Sequence, residues 1–483
     1  MSVFNNALLV LGMFAISGLT AEIATSLPLV PDMQKDAPSA DQATHSKNTS
    51  SKAYTYPIDT LSHEQKMPFV LGESLFAKLW VSSPSSTTAS DGLGPLYNAR
   101  SCMRCHVRAG RGHPPEPGIA QPTRSSVVHL SIAPHTDAQR RAMALGLMGF
   151  VPEPTYGRQL QDHSVQGLPA EGWVKLSYTD WPVTLDDGEV VTLRKPEYTL
   201  TELNYGELHK DLQSSFRVTP PMIGLGLIEA IPEASIKANA DPDDQNQDGI
   251  SGRTNKVWNI ATRHTAMGRF GWKAGQPTLD QQNRNALITD IGLSNTLFPT
   301  GFGECTDAQS VCQSLPDGNS EHLDGVEVSD QMVDMINAYT QFLGVPNRRY
   351  SPEADAGESL FYNVGCAACH TPSFRTAKDA PKGLADQLIW PYSDFLLHDM
   401  GEGLADHRQE YQADGQEWRT PPLWGVGLAQ KVNPKAGFLH DGRARTLEEA
   451  ILWHGGEAES AKAAYAGLSL VDRTHLIRFL ESL

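Results

Sequence analysis

A chain of 483 residues, 40% hydrophobic and 20% charged, has the composition of an ordinary globular protein with room for two or three domains. Its formal net charge of −17 excludes a broad nucleic-acid surface, which needs clustered Lys and Arg, and gives a cationic partner something to find. Only six cysteines are present, so where they fall carries information.

Residues 7–21, ALLVLGMFAISGLTA, are apolar over a length that suits a signal-peptide core better than a membrane span, and residues 1–26 are read as a signal peptide. Residues 27–60 are rich in Ser, Thr, Pro, Asp and Lys without apolar periodicity and are read as a flexible leader. No later segment is long and apolar enough to cross a bilayer. Gly72-Glu-Ser-Leu-Phe76 comes next, followed by YNARSCMRCH, in which Cys102 and Cys105 stand two apart with His106 directly behind. Residues 173–193 alternate apolar positions (Val174, Leu176, Tyr178) and contain Asp186-Asp187-Gly188, a hairpin signature. Asp244, Asn246 and Asp248 alternate ahead of Gly249, as at the start of a calcium loop. The twelfth position is Asn255 and not Glu, so a plain Asx-turn loop is the competing reading. Cys305 and Cys312, seven apart, suit a local disulfide or a redox-active pair. Val333, Ile336, Tyr339 and Phe342 form one apolar helical stripe, and GVPNRRYSP (344–352) reads as a linker.

The stretch beyond 352 repeats what preceded it. GESLF recurs letter for letter at 357–361, ahead of Cys366, Cys369 and His370. RVTPPMIGLGL (217–227) matches RTPPLWGVGL (419–428), and RFGWKAGQPTL (269–279) parallels GFLHDGRARTL (437–447), setting Trp272 opposite His440. Leu476, Phe479, Leu480 and Leu483 close the second copy on another apolar stripe.

Cys-x-x-Cys alone serves zinc, thiol exchange or neither; a following histidine narrows the choice. Two thiols two apart can form thioethers with haem vinyl groups, and the adjacent imidazole can then bind the iron. A zinc site built from four thiols leaves both histidines unexplained. Two covalent c-type haems follow, with His106 and His370 as iron ligands and Cys102, Cys105, Cys366 and Cys369 as attachment points. The expected fold is mainly α: two cytochrome-c-type haem domains in tandem, 61–346 and 347–483, the first enlarged by insertions with some β structure. Arg217 and Arg419, beside the Thr-Pro-Pro repeats, are candidates to pair with haem propionates or to stand at the surface.

Both pentads, DGISGR (248–253), GRFGWKA (268–274), RTPPLWGVGL and FLHDGRARTLEEAILWHGGEA (438–458) resemble the dihaem oxidoreductase family, itself related to bacterial dihaem cytochrome c peroxidases. The resemblance covers nearly all of 61–483 and implies an exported, periplasmic bacterial protein with one reacting haem and one relaying electrons. It implies hydrogen peroxide or another small oxidant as substrate, and a small cytochrome or cupredoxin as electron donor. Where the related peroxidases carry an axial methionine, this chain has His454, with Met400 as the rival. Trp272 matches an aromatic residue lying between the haems; a packed core indole is the alternative. The catalytic glutamate of those peroxidases falls at Gly292, leaving Asp290 as the nearest carboxylate for proton transfer. The family's calcium between domains adds to the reading of Asp244, Asn246 and Asp248. The first haem has no obvious sixth ligand; His113 and Met222 are candidates, and an open position favours it as the reactive one. The first expectation is therefore a peroxidase-like enzyme passing electrons from the second haem to the first. The alternatives are a dihaem oxidase acting on a partner protein or small reductant, and a non-enzymatic electron-relay cytochrome.

Overall fold

Two helix pairs explain why the sequence repeats itself. In a computed structural model describing residues 39–47 and 49–483, α1 (His63–Ala77) packs on α2 (Asp330–Phe342), and α3 (Pro352–Asn363) packs on α4 (Leu470–Ser482). The repeated GESLF sits on the first helix of each pair. A Cβ added at Gly72 would lie 1.9 Å from the Met335 carbonyl oxygen, and one at Gly357 would lie 1.9 Å from that of His475. Glycine is needed at both because the helices cross backbone to backbone there. One turn on, Phe76 and Phe361 are buried against the partner helix, Phe76 packing at a tilt on Tyr339 (5.1 Å between ring centroids) and Phe361 edge-on to Phe479 (5.2 Å). Ser62, Ser329, Ser351 and Ser469 cap the four helices by accepting N–H bonds in the first turn.

The Thr-Pro-Pro repeats perform a second matched task. Gly224 and Gly425 both take a left-handed backbone, with φ of 70° and 73°. Two residues on, Gly226 and Gly427 let the chain approach the carbonyls of Gln341 and Glu481, where a Cβ would lie at 2.2 and 2.0 Å.

The expectation of a mainly α protein is corrected. The structure has 30% helix and 19% strand in several small sheets, a mixed α/β fold. The cause lies between the helix pairs. Strands β1 (Ser126–Ile132) and β4 (Leu212–Val218) form an antiparallel ladder, and β2 (Trp173–Thr184) and β3 (Val190–Thr201) form a twelve-residue hairpin turning at 185–189. Val174 and Leu176 are buried on alternate positions, and Val, Thr and Tyr populate both hairpin strands, with two Trp on the first, the residues that suit a pleated, half-buried surface. The hairpin also reaches the second repeat: Asp187 and Glu189 at its tip pair with Arg473 of α4 at 2.9 and 2.6 Å.

Residues 39–60 do not behave as a flexible leader. Thr44–His45 pairs in parallel with Val345–Pro346, the Tyr54 hydroxyl donates to the Gly425 carbonyl, and Ala40, Ala43, Tyr54 and Ile58 are buried. Small and apolar residues among the polar ones anchor the segment to both repeats. The same pairing ties down the stretch 344–352, where Arg348 is buried against Glu358 at 2.9 Å. The signal-peptide reading of 1–26 lies outside the described residues, and so does 27–38. No helix among the described residues is long and apolar enough to cross a membrane. Cys305 and Cys312 are joined as a disulfide.

Candidate dihaem centre

Each pentad is built the same way. Cys102–Cys105 is one helical turn and Cys366–Ala368 a 3-10 turn, and each histidine follows with its N–H bonded back to the carbonyl of the first cysteine, Cys102 or Cys366, at 2.9 Å. His106 Nδ1 donates to the Pro220 carbonyl at 2.9 Å, and His370 Nδ1 donates to the Tyr392 carbonyl at 2.8 Å. Both bonds fix the proton on Nδ1 and leave the Nε2 lone pair free, the arrangement of an axial imidazole held by an outer hydrogen bond. Burial lowers both imidazoles to about 4, the carbonyl bond opposing it, so both stay neutral and able to ligate. Phe76 and Phe361 lie 6.0 and 6.2 Å from these rings, which ties the GESLF repeat to the histidines.

The four thiols are free and do not gather into one site. Burial raises all of them, Cys102 and Cys366 to about 12, so they stand as neutral thiols; their separation into two pairs is what argues against one four-thiol zinc centre.

A cavity opens beside the first pentad, lined by Cys102, Cys105, His106, Arg217, Trp272, Asp290 and Arg419 together with Arg111, His129, Arg158, Gln159, Met222 and Arg269. Its electrostatics fit a dianionic macrocycle. Arg111, Arg269 and Arg419 spend their N–H groups on main-chain carbonyls, and none forms an ion pair with a carboxylate among the described residues. Burial lowers Arg111 and Arg419 to about 10. Acidic groups farther off (Asp441 for Arg111, Glu233 and Glu229 for Arg269, Asp394 for Arg419) offset only part of the cost of burying these cations, and haem propionates would supply direct ion pairs. Arg217, by contrast, is committed to Glu410 at 2.9 Å and lies 3.5 Å from Asp406. The residues present fit haem at both pentads.

Asp290 lies on a five-residue π-helical stretch, Leu287–Ile291, an irregularity often found at functional sites. Its carbonyl accepts the N–H groups of Asn98 (2.9 Å) and Ala99 (3.0 Å), just ahead of the pentad, and its carboxylate accepts the Gln159 amide at 2.8 Å. Burial raises the carboxyl to about 6, against the lowering effect of the Gln159 and Thr289 bonds. At Gly292 no glutamate fits: φ is 77°, and a Cβ there would lie 2.6 Å from the Gly94 Cα. The two glycines hold the loops at 94 and 292 in contact.

Trp272 is buried, and its indole N–H donates to the Val218 carbonyl at 2.8 Å. Its own carbonyl accepts the Arg419 N–H at 2.9 Å, and the Val218 N–H donates to the His440 carbonyl at 2.8 Å. The matched Trp272 and His440 loops thus meet at one residue, Val218, where the cavity borders the second copy. His440 itself stacks on Trp418, 3.8 Å between centroids.

Around the second pentad, His454 follows the helix Leu447–Leu452 and bonds through Nδ1 to the Ala450 carbonyl at 2.7 Å, leaving Nε2 free. Burial lowers it, and its imidazole is one of the groups that depress His370. Met400 is half-buried in a loop that adjoins the same turn, since a Cβ at Gly455 would lie 3.1 Å from its carbonyl. His398 is held between Asp394 (2.8 Å) and Glu457 (2.6 Å), with the Cys369 sulfur at 3.6 Å. Burial alone would lower it; the two carboxylates and Cys369 raise it to about 12.

His113 bonds to Ser125 at 3.0 Å and does not line the cavity, whereas Met222 does. Sequence reasoning missed His129, Gln159 and Arg111. His129 sits on β1 with its ring in the cavity, opposite Ser215 on β4, and burial together with Arg217, Arg408 and Arg158 holds it well below its usual value. The apolar alternation of SVVHLSI would have placed a histidine on one face of a strand, but not the cavity that face lines. Asn246 and Asp248 are exposed and Asp244 is half-buried, and they accept hydrogen bonds from their own loop, such as Asp248 N–H to Asp244 at 3.0 Å and Ile250 N–H to Asp248 at 2.9 Å, the pattern of an Asx turn.

The family described as "di-haem oxidoreductase, putative peroxidase" matches residues 33–483. No curated protein matches. A solved structure of hydrazine synthase from Kuenenia stuttgartiensis, pressurised with xenon, is similar at 14% identity over 54% of this chain and 87% of that one, with a TM-score of 0.22, too low to carry an argument. With its family matched across almost the whole length, the chain belongs to the di-haem oxidoreductases.

Proposed function

We propose that the protein is an exported c-type dihaem oxidoreductase of peroxidase kind, holding one haem at Cys102, Cys105 and His106 and the other at Cys366, Cys369 and His370. Haem held at these residues would supply the redox chemistry, the His370 site serving electron entry and the His106 site peroxide reduction. The observation that carries this reading is an asymmetry. The first pentad shares its cavity with the carboxyl of Asp290, while the His454 imidazole is among the groups that depress His370 of the second.

Asp290 is suited to move a proton near neutral pH, because burial holds it to about 6 and Gln159 fixes one carboxylate oxygen. Arg111, Arg269 and Arg419 hold negative charge in the cavity. Trp272, at the border of the two copies, is the aromatic group we assign to electron passage. A small cytochrome or cupredoxin meeting the acidic surface is the electron donor in this reading. Export to the periplasm is supported by the apolar run 7–21 and by the Cys305–Cys312 disulfide. A calcium ion at Asp244, Asn246 and Asp248 belongs to the same reading, and isothermal titration with Ca2+ tests it.

One observation favours a second reading. His129 places an imidazole in the first cavity, and a six-coordinate iron there would make the protein an electron relay. Paramagnetic resonance and optical spectra of the ferric and half-reduced protein, before and after hydrogen peroxide, separate the two. A high-spin or peroxide-responsive site that oxidises a cytochrome donor is expected. Two low-spin haems indifferent to peroxide in both states would overturn the peroxidase reading.

A further inference from the structure

Away from the haem centre, the open end of the β1–β4 ladder brings three metal-binding side chains together. The last paired residues are Ile132 and Leu212, and the Ala133 N–H donates to the Asp211 carbonyl at 3.4 Å. This register sets His135, just past β1, beside His209 and Asp211, just before β4. His135 Nε2 lies 3.8 Å and His209 Nδ1 4.0 Å from Asp211 Oδ2, and the two rings stand 5.5 Å apart at 62°. One donor atom from each of the three lies within 4.8 Å of the others.

We propose that His135, His209 and Asp211 form a binding site for a divalent transition-metal ion, with Zn2+ the ion that best suits the donors. Two imidazoles and a carboxylate are a common zinc set, and three protein ligands leave a fourth position for water. Zn–N and Zn–O bonds of about 2.0–2.1 Å put tetrahedral ligands about 3.4 Å apart, so each imidazole needs to close on the carboxylate by about half an ångström, and the two imidazole nitrogens, within 4.8 Å of each other, by at most about 1.4 Å.

The backbones behind the donors are fixed. The His135 N–H donates to Gln139 Oε1 at 2.9 Å, within the capping box that Thr136 and Gln139 form on the next helix. The His209 N–H donates to Glu153 at 2.9 Å, and its carbonyl accepts the Leu212 N–H at 3.0 Å. His209 Nδ1 accepts the Asp211 N–H at 3.2 Å, which shows a lone pair on the carboxylate side; the metal takes that bond's place. All three side chains are partly exposed, at 46%, 30% and 39%, so an ion can enter and the rings can adjust. Bound there, the ion clasps the end of a ladder whose other residues, His129 and Arg217, line the haem cavity.

The test uses the intact dihaem protein, stripped with chelator and titrated with Zn2+ by calorimetry. The wild type is expected to take up one equivalent at micromolar affinity or tighter. His135→Ala and His209→Ala are each expected to weaken it at least tenfold, with unchanged haem absorption showing that the fold survives. Zinc-edge absorption spectra should show two imidazoles and oxygen around the ion. Absence of wild-type binding, or a His135→Ala/His209→Ala double variant that binds zinc with the same affinity and stoichiometry, overturns the site. Neither outcome depends on the haem chemistry.

Discussion

The Pro220 carbonyl lies 2.9 Å from Nδ1 of His106, so the Thr-Pro-Pro repeat and the first pentad, more than a hundred residues apart, form one unit. Thr219 adds a second tie, its hydroxyl donating to the Cys105 carbonyl at 2.9 Å. If this unit holds a haem independently of the other, Cys102→Ser/Cys105→Ser should yield protein with one covalent haem per chain instead of two. Pyridine haemochrome titration against protein concentration measures it, and a retained value of two would show that these thiols are not the attachment points.

The crossing glycines give a prediction about stability. At Gly72 and Gly357 the added methyl of alanine meets a main-chain carbonyl at 1.9 Å, which no rotamer relieves. Overpacking of this kind costs about 1–3 kcal/mol or more, far beyond the gain in helix propensity of about 1 kcal/mol. Gly72→Ala and Gly357→Ala should each lower the denaturation midpoint measurably. Gly188→Ala should cost less: its φ, unlike theirs, is positive, at 88°, but nothing lies within 4 Å of the added atom.

These glycines also show how far the sequence could be read. GESLF was visible as a repeat, and the pentads as candidate haem sites, because both depend on local spacing. What GESLF does was not visible, because it depends on a carbonyl more than a hundred residues away. The β content was underestimated for a related reason: β1 pairs with β4 across some eighty intervening residues, and no local pattern announces a partner so distant. His129 and Gln159 share the difficulty, since both are polar residues in otherwise unremarked strands and loops until the ladder folds them toward Asp290. Residues 39–60 misled by composition, their few buried side chains being outnumbered by polar ones.

At the second pentad two side chains compete for one role, and we assign it to His454. His454 presents a free Nε2 from a ring anchored on the Ala450 carbonyl, while Met400 is held by its main chain, its N–H donating to the Gln416 carbonyl at 3.1 Å. His454→Ala should therefore change the low-spin resonance of the second haem and raise its reduction potential, whereas Met400→Ala should leave both within error. The reverse result would assign the position to Met400.

Asp290 carries the pH dependence. Its carboxyl titrates at about 6 in the folded chain against an ordinary value of 3.8, with burial as the main cause. An unfolded chain therefore gives up this proton first as pH rises, so the group costs the folded state nothing below pH 3.8 and progressively more up to about 6. The full penalty, about 3 kcal/mol at most, then persists at higher pH. Asp290→Asn keeps the shape and removes the titration. Its stability relative to wild type should rise between pH 4 and 6 and level off above, which urea midpoints at several pH values would show. In turnover, the same substitution should abolish any inflection near pH 6 and lower the rate by about 10²–10⁴-fold if the carboxyl transfers the proton. Moving a carboxylate to the neighbouring position should not rescue it. Gly292→Glu would drive a side chain into Gly94 from a left-handed backbone and should unfold the loop before it could restore activity.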